Sequence, residues 1–147
     1  MQAFQFPLRR ALDWRKTQLD LEENKLRQLA ARLDEINLAV VKLDLLKGRA
    51  ETAVRQEAVV DAGDLWALAA YRQRLIAEKQ ALAERRAACE RDMDAQRKRV
   101  REAQQQYRLL EKLEQRRREE WRLEAERELE NLGGESFLSR WNRSAKS

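Results

Sequence analysis

The residues of this chain that could carry chemistry are few, and their setting argues against each of them. Glu22-Glu23 and Glu119-Glu120 are carboxylate pairs of the type used for acid/base catalysis. A working pair needs one pKa raised by burial in a concave site, and a chain built of long helices has no such cleft. There is no histidine, so the usual general base is missing. The single cysteine, Cys89, can close neither an internal disulfide nor a metal cage. It falls on an apolar repeat, where a thiol acts as a small buried hydrophobe. No glycine-rich phosphate loop is present: Gly48 and Gly63 are isolated, and Gly133-Gly134 does not follow a strand. These residues predict a protein that is not an enzyme and uses no cofactor or metal.

Basic runs offer a second kind of chemistry. Arg97-Lys98-Arg99 with Arg101, and Arg116-Arg117-Arg118, have the composition of phosphate-binding patches. Each run circles its helix and is followed by acidic residues, the pattern of a solvated or partner-facing surface. The net charge of +5 is small beside 31 basic and 26 acidic residues. Protein partners are therefore expected, and a basic nucleic-acid-binding arm is the competing reading.

The elements that must position these residues follow from composition. Charged residues make up 39% of the 147 positions and apolar ones 43%, with one proline and four glycines. Turns draw on Gly and Pro, and disorder needs few apolar residues, so neither a turn-rich domain nor a disordered chain fits. Ala, Leu, Glu, Arg, Lys and Gln are strong helix formers. The expected fold is all-α, a long antiparallel two-helix coiled-coil hairpin forming a single domain. The lone thiol fits a reducing, cytosolic compartment. Residues 1–8 lack the unbroken apolar stretch of a secretory signal, and no segment has the ~18–20 apolar residues of a membrane span.

Heptads define the two helices. Leu12, Leu19, Leu26, Leu33, Val40 and Val54, interrupted by Lys47, form one series, and Leu29, Ile36, Leu43 and Ala50 form its companion. They predict a helix over 7–59, with Pro7 in its first turn. The stretch Val59-Val60-Asp61-Ala62-Gly63-Asp64 predicts a turn at 60–64 with Asp64 as the new N-cap. Leu68, Leu75, Leu82, Cys89, Gln96, Ala103 and Leu110, accompanied by Met93, Val100 and Tyr107, predict a helix over 65–132 that stops at Gly133-Gly134. A mobile tail at 133–147 is expected to follow. A short turn makes the helices antiparallel and pairs positions whose numbers sum to about 125. Leu43 then meets Leu82, Ile36 meets Cys89, Leu26 meets Val100 and Leu19 meets Tyr107. A parallel dimer of one continuous helix is the competing arrangement.

In this register, residues beyond about Arg117 have no partner within the hairpin. Trp14, Trp66, Tyr71, Trp121 and Trp141 lie off the seam or near its ends. Exposed Trp and Tyr are common interface anchors, so the sequence describes a connector with adhesive ends.

Phe4-Gln5-Phe6-Pro7-Leu8, followed by Leu12, Arg15 and Glu22-Glu23, and the run Leu109-Leu110-Glu111-Lys112-Leu113 leading through Arg116 and Glu120-Trp121 to Glu130, resemble the flagellar export protein FliJ family. Where the family commonly has an acidic Asp-Glu pair near the C-terminus, this chain has Gly133-Gly134-Glu135. The resemblance implies a stalk similar to the central shaft of rotary ATPases. Its terminal end would enter the hexameric flagellar export ATPase through Arg9, Arg10, Lys112, Arg116, Arg117, Arg118 and Trp121. The start of the second helix would reach the cytoplasmic domain of the export gate through Trp66, Tyr71 and Leu75. Export chaperones are further implied partners, and the implied location is cytoplasmic, held peripherally at the inner membrane by the export apparatus. The equivalent stalk of a virulence-type injectisome is the nearest alternative.

Overall fold

A computed structural model describes residues 2–57 and 59–146. Positions 1, 58 and 147, the second within the predicted first helix and the third within the predicted tail, lie outside the described residues. The fold is an all-α hairpin of two helices, α1 (Arg9–Gln56) and α2 (Ala62–Ala145), with no strand among the described residues. Contacts divide it into two compact units, Asp20–Arg101 and Met1–Leu19 with Glu102–Ser147.

In the Asp20–Arg101 unit the helices pack antiparallel. Arg72 pairs with Glu51 at 3.0 Å and Lys79 with Asp44 at 2.9 Å, while Gln96 bonds Glu22, so numbers rise along one helix as they fall along the other. Leu43 and Leu82 line one shallow groove, as the heptads require. The buried positions of this unit are Leu75, Cys89, Met93, Gln96 and Val100, all drawn from the two repeats of α2. Lys47, which breaks the repeat of α1, is exposed. At Cys89 the thiol donates to the Leu29 carbonyl at 3.4 Å. Helix carbonyls project toward the helix C-terminus, so a residue earlier in α1 presents its oxygen at this level.

The turn differs from expectation in its cap. Asp61, not Asp64, is the N-cap of α2: its Oδ1 accepts the Asp64 amide at 2.7 Å and its carbonyl accepts the Leu65 amide at 3.3 Å. Asp64 instead sits in the first turn, where a negative charge favours the helix dipole. Its charge, with smaller effects of burial and Asp61, pushes the Glu57 carboxyl above its ordinary value. α1 ends at Gln56, before the β-branched Val59-Val60 pair, and starts at Arg9, just beyond Pro7.

The second correction concerns the end of α2. The helix does not stop at Leu132 but continues through Gly133-Gly134 to Ala145, across the segment expected to be a tail. Neither glycine adopts positive φ, so no left-handed C-cap forms. Two glycines cost about 2 kcal/mol of helix propensity together. With no proline nearby and helical turns on both sides, continuing the hydrogen-bond ladder needs no new nucleation.

Candidate functional site

In the unit of Met1–Leu19 and Glu102–Ser147, the residues before α1 form a cluster with α2 that the heptads did not foresee. Two aromatics two positions apart face the same side of an extended segment, and Phe4 and Phe6 both turn to α2. Phe6 is buried, and with Phe4, Arg9, Glu114 and Arg118 it lines one recess. The Phe4 ring lies 6.1 Å from the Trp121 ring at a tilt of 56°, and the Arg118 guanidinium stands 5.1 Å from the Phe4 ring centroid. Trp121 Nε1 donates to the Gln2 carbonyl at 3.2 Å. These contacts correct the expected overhang: α2 is covered past Arg117, because residues 2–7 run beside a stretch that includes Trp121, Glu124 and Glu128.

Glu114 is the electrostatic centre of this cluster. Its side chain is only 13% exposed and pairs with Arg9 at 3.3 Å and Arg118 at 3.1 Å. Leu12 and Leu19 are buried, Lys16 lies 5.4 Å over the Tyr107 ring, and Arg15 donates to Gln106. Burial, then a hydrogen bond with Glu111, raises the Tyr107 phenol above its ordinary pKa. Ion pairs of this partly exposed kind each contribute about 0–1 kcal/mol, so their main effect is to orient side chains.

Of the residues expected to engage a ring, the structure therefore divides two sets. Arg9, Arg118 and Trp121 are engaged within the chain. Arg10, Lys112, Arg116 and Arg117 are exposed and form no ion pair among the described residues. Sequence reasoning missed Glu114, whose signal was its place four residues before Arg118.

The three residues expected at a gate also separate. Trp66 is 76% exposed and Tyr71 is half-buried, but Leu75 is only 6% exposed. Leu75 belongs to the seam repeat of α2, so it is removed from the outer surface that Trp66 presents. Farther along this unit, Gln96 is a buried amide at 5% exposure. Its Nε2 donates to the Glu22 carbonyl at 2.9 Å and to the Glu22 carboxylate, and this second bond is the first cause holding that carboxyl below its usual pKa.

Among the described residues no group of three or more His, Cys, Asp or Glu could hold a metal ion. The recesses are shallow grooves along the helices and beside the segment before α1. Compared with known protein families, curated proteins and solved structures, the chain matches none.

Proposed function

We propose that the chain is a non-catalytic coupling component of flagellar type III protein export, linking the hexameric export ATPase to the cytoplasmic domain of the export gate and engaging export chaperones. The observation that carries this reading is that the first of its two most specific motifs packs beside the end of the second. Phe4 and Phe6 of the F-x-F-x-L signature share one recess with Glu114, the residue directly after the Leu109-to-Leu113 run. These motifs are 101 positions or more apart in sequence, and the surface around that recess is charged. On that surface Arg10, Lys112, Arg116 and Arg117 offer exposed cations to carboxylates of a ring, and arginine pairs with carboxylates bidentately. The coupling is positional: the helices carry a nucleotide-dependent change in the ring toward the gate without chemistry of their own. Trp66 and Tyr71 supply the gate contact. No described helix is long and apolar enough to cross a membrane, and attachment to the export apparatus would hold the protein at the inner membrane.

The test is co-purification with a flagellar export ATPase and stimulation of its activity. The double variant Arg116→Glu/Arg117→Glu leaves Arg118 on Phe4 and Glu114, and should keep its helix content while abolishing stimulation at low salt, where charges are least screened. Failure of the native chain to bind or stimulate the ATPase would refute the reading. Stimulation of an injectisome ATPase alone would move the protein to that system. Steeply salt-dependent binding to random DNA would instead favour a nucleic-acid arm.

A further inference from the structure

We propose that the outer face of α1 between Leu38 and Thr52 is a docking surface for an acidic amphipathic helix of a partner protein. A surface helix in a hairpin needs one apolar stripe, and α1 already spends Leu33, Ile36, Val40 and Leu43, all half-buried, on the seam. Leu38, Val41 and Leu45 form a second set, each more than half exposed. With Gly48 and Thr52 they recur at three- and four-residue spacing on one face.

Gly48 gives the face its shape. A Cβ added there meets nothing within 4 Å, so packing inside the hairpin makes no demand for glycine at a position where any side chain would favour the helix. Leu45, Gly48, Thr52 and Ala53 line a groove bordered by Asp44 and Arg49. The Thr52 hydroxyl donates to the Gly48 carbonyl at 2.8 Å and is thereby satisfied. Another helix can approach most closely at such a bare stretch of backbone.

Charge selects the occupant. Between Leu38 and Arg55 the two acidic residues are both drawn to α2, Asp44 by Lys79 and Glu51 by Arg72. Lys42, Arg49 and Arg55 form no ion pair among the described residues. Lys42 and Arg49 are one heptad apart and so flank the stripe on the same side. An apolar ridge between rows of carboxylates complements this pattern, and about four helical turns of it would span the face. A groove floored by Gly and Thr fits a helix ridge better than a lipid surface, which favours bulky apolar side chains. The surface uses neither Arg116 nor Trp66 and is independent of the export reading.

The experiment is fluorescence anisotropy with the full chain and a labelled synthetic helix of about three heptads, with Leu and Ala at the core positions and Glu on both flanks. A Lys-for-Glu peptide and anionic phosphatidylserine vesicles form the other arms. The acidic peptide should bind at least about tenfold more tightly than the basic one. Leu45→Glu and Gly48→Leu should each weaken it by about tenfold or more. Gly48→Leu has open space for its side chain, so helix content should be kept, and Trp66→Ala should leave binding unchanged. No binding of the acidic peptide, equal binding of both peptides, or indifference to Leu45→Glu would overturn the proposal. So would vesicle binding that depends on Leu45 without peptide binding, which would assign the face to lipid.

Discussion

Gln96 offers the sharpest test of the packing. It is a polar residue on an otherwise apolar repeat, 5% exposed, and donates to both the carbonyl and the carboxylate of Glu22. Replacing it by Ala removes an amide-to-carboxylate bond of about 1.5–3 kcal/mol and a neutral bond of about 1 kcal/mol. Part is recovered, because the Glu22 side chain keeps 19% exposure, has Lys25 at 3.5 Å and can turn to water. A net loss of about 2 kcal/mol at pH 7 is expected, or roughly 4–8 °C in melting midpoint for a chain of this size. Gln96→Leu loses the same bonds but adds about 1.5–3 kcal/mol of apolar burial, so it should be near neutral. Acid separates the two effects. The Glu22 pKa is lowered in the folded chain, chiefly by the Gln96 bond. Its contribution is therefore present above the ordinary carboxylate value of 4.5 and is lost as pH falls through the depressed folded value. Native protein should lose more stability between pH 7 and pH 3 than Gln96→Leu. The assay is denaturation followed by circular dichroism at both pH values. A loss below about 0.5 kcal/mol for Gln96→Ala, together with identical acid sensitivity in all three proteins, would refute the bond and the reasoning built on it.

Other consequences are open to measurement. Leu26→Asp places a carboxylate in the seam near buried Val100 and should cost about 3 kcal/mol or more; an unchanged melting midpoint would place Leu26 outside the seam. Replacing Gly133 and Gly134 by Ala should raise helix content and protect the 133–145 amides from exchange, since each glycine is less favourable than alanine by about 1 kcal/mol and has open space for a Cβ; a helix that truly ended there would gain nothing. Phe4→Ala removes a ring pair of about 0.5–1.5 kcal/mol and a cation–π contact of about 0.5–1 kcal/mol, so the Trp121 indole N–H should exchange about tenfold faster. An unchanged rate would mean that the Phe4 ring does not hold the segment to α2.

The terminal cluster also alters which arginines a partner can use. Had residues 116–118 projected freely, all three would be equivalent to a binding ring. Glu114 and Phe4 hold Arg118 in place, which leaves Arg116 and Arg117 as the pair without an ion pair among the described residues. Near the turn, Leu75 is buried while Trp66 is exposed.

Sequence alone determined the hairpin and its seam. Apart from Phe6, the buried residues Leu12, Leu19, Leu75, Cys89, Met93, Gln96 and Val100 all fall on heptad positions, because side-chain direction on a helix follows from position in the repeat and needs no long-range information. The antiparallel pairing was favoured by a short turn and two matching repeats, and the contacts between α1 and α2 decide it against a parallel dimer. The ends of the helices were less legible. Asp61 and Asp64 are chemically equal candidates for a cap, and only the path of the turn selects Asp61. Gly133-Gly134 has the composition of a helix stop, but the cost of two glycines is small against the cooperativity of a ladder already formed. Contacts that depend on tertiary structure were not legible at all. Phe4 meeting Trp121, Arg9 reaching Glu114, and Gln96 reaching Glu22 each join residues brought together only when the chain folds back. No local periodicity encodes such pairs, because their geometry is fixed by the packing of one helix, or the segment before it, against another.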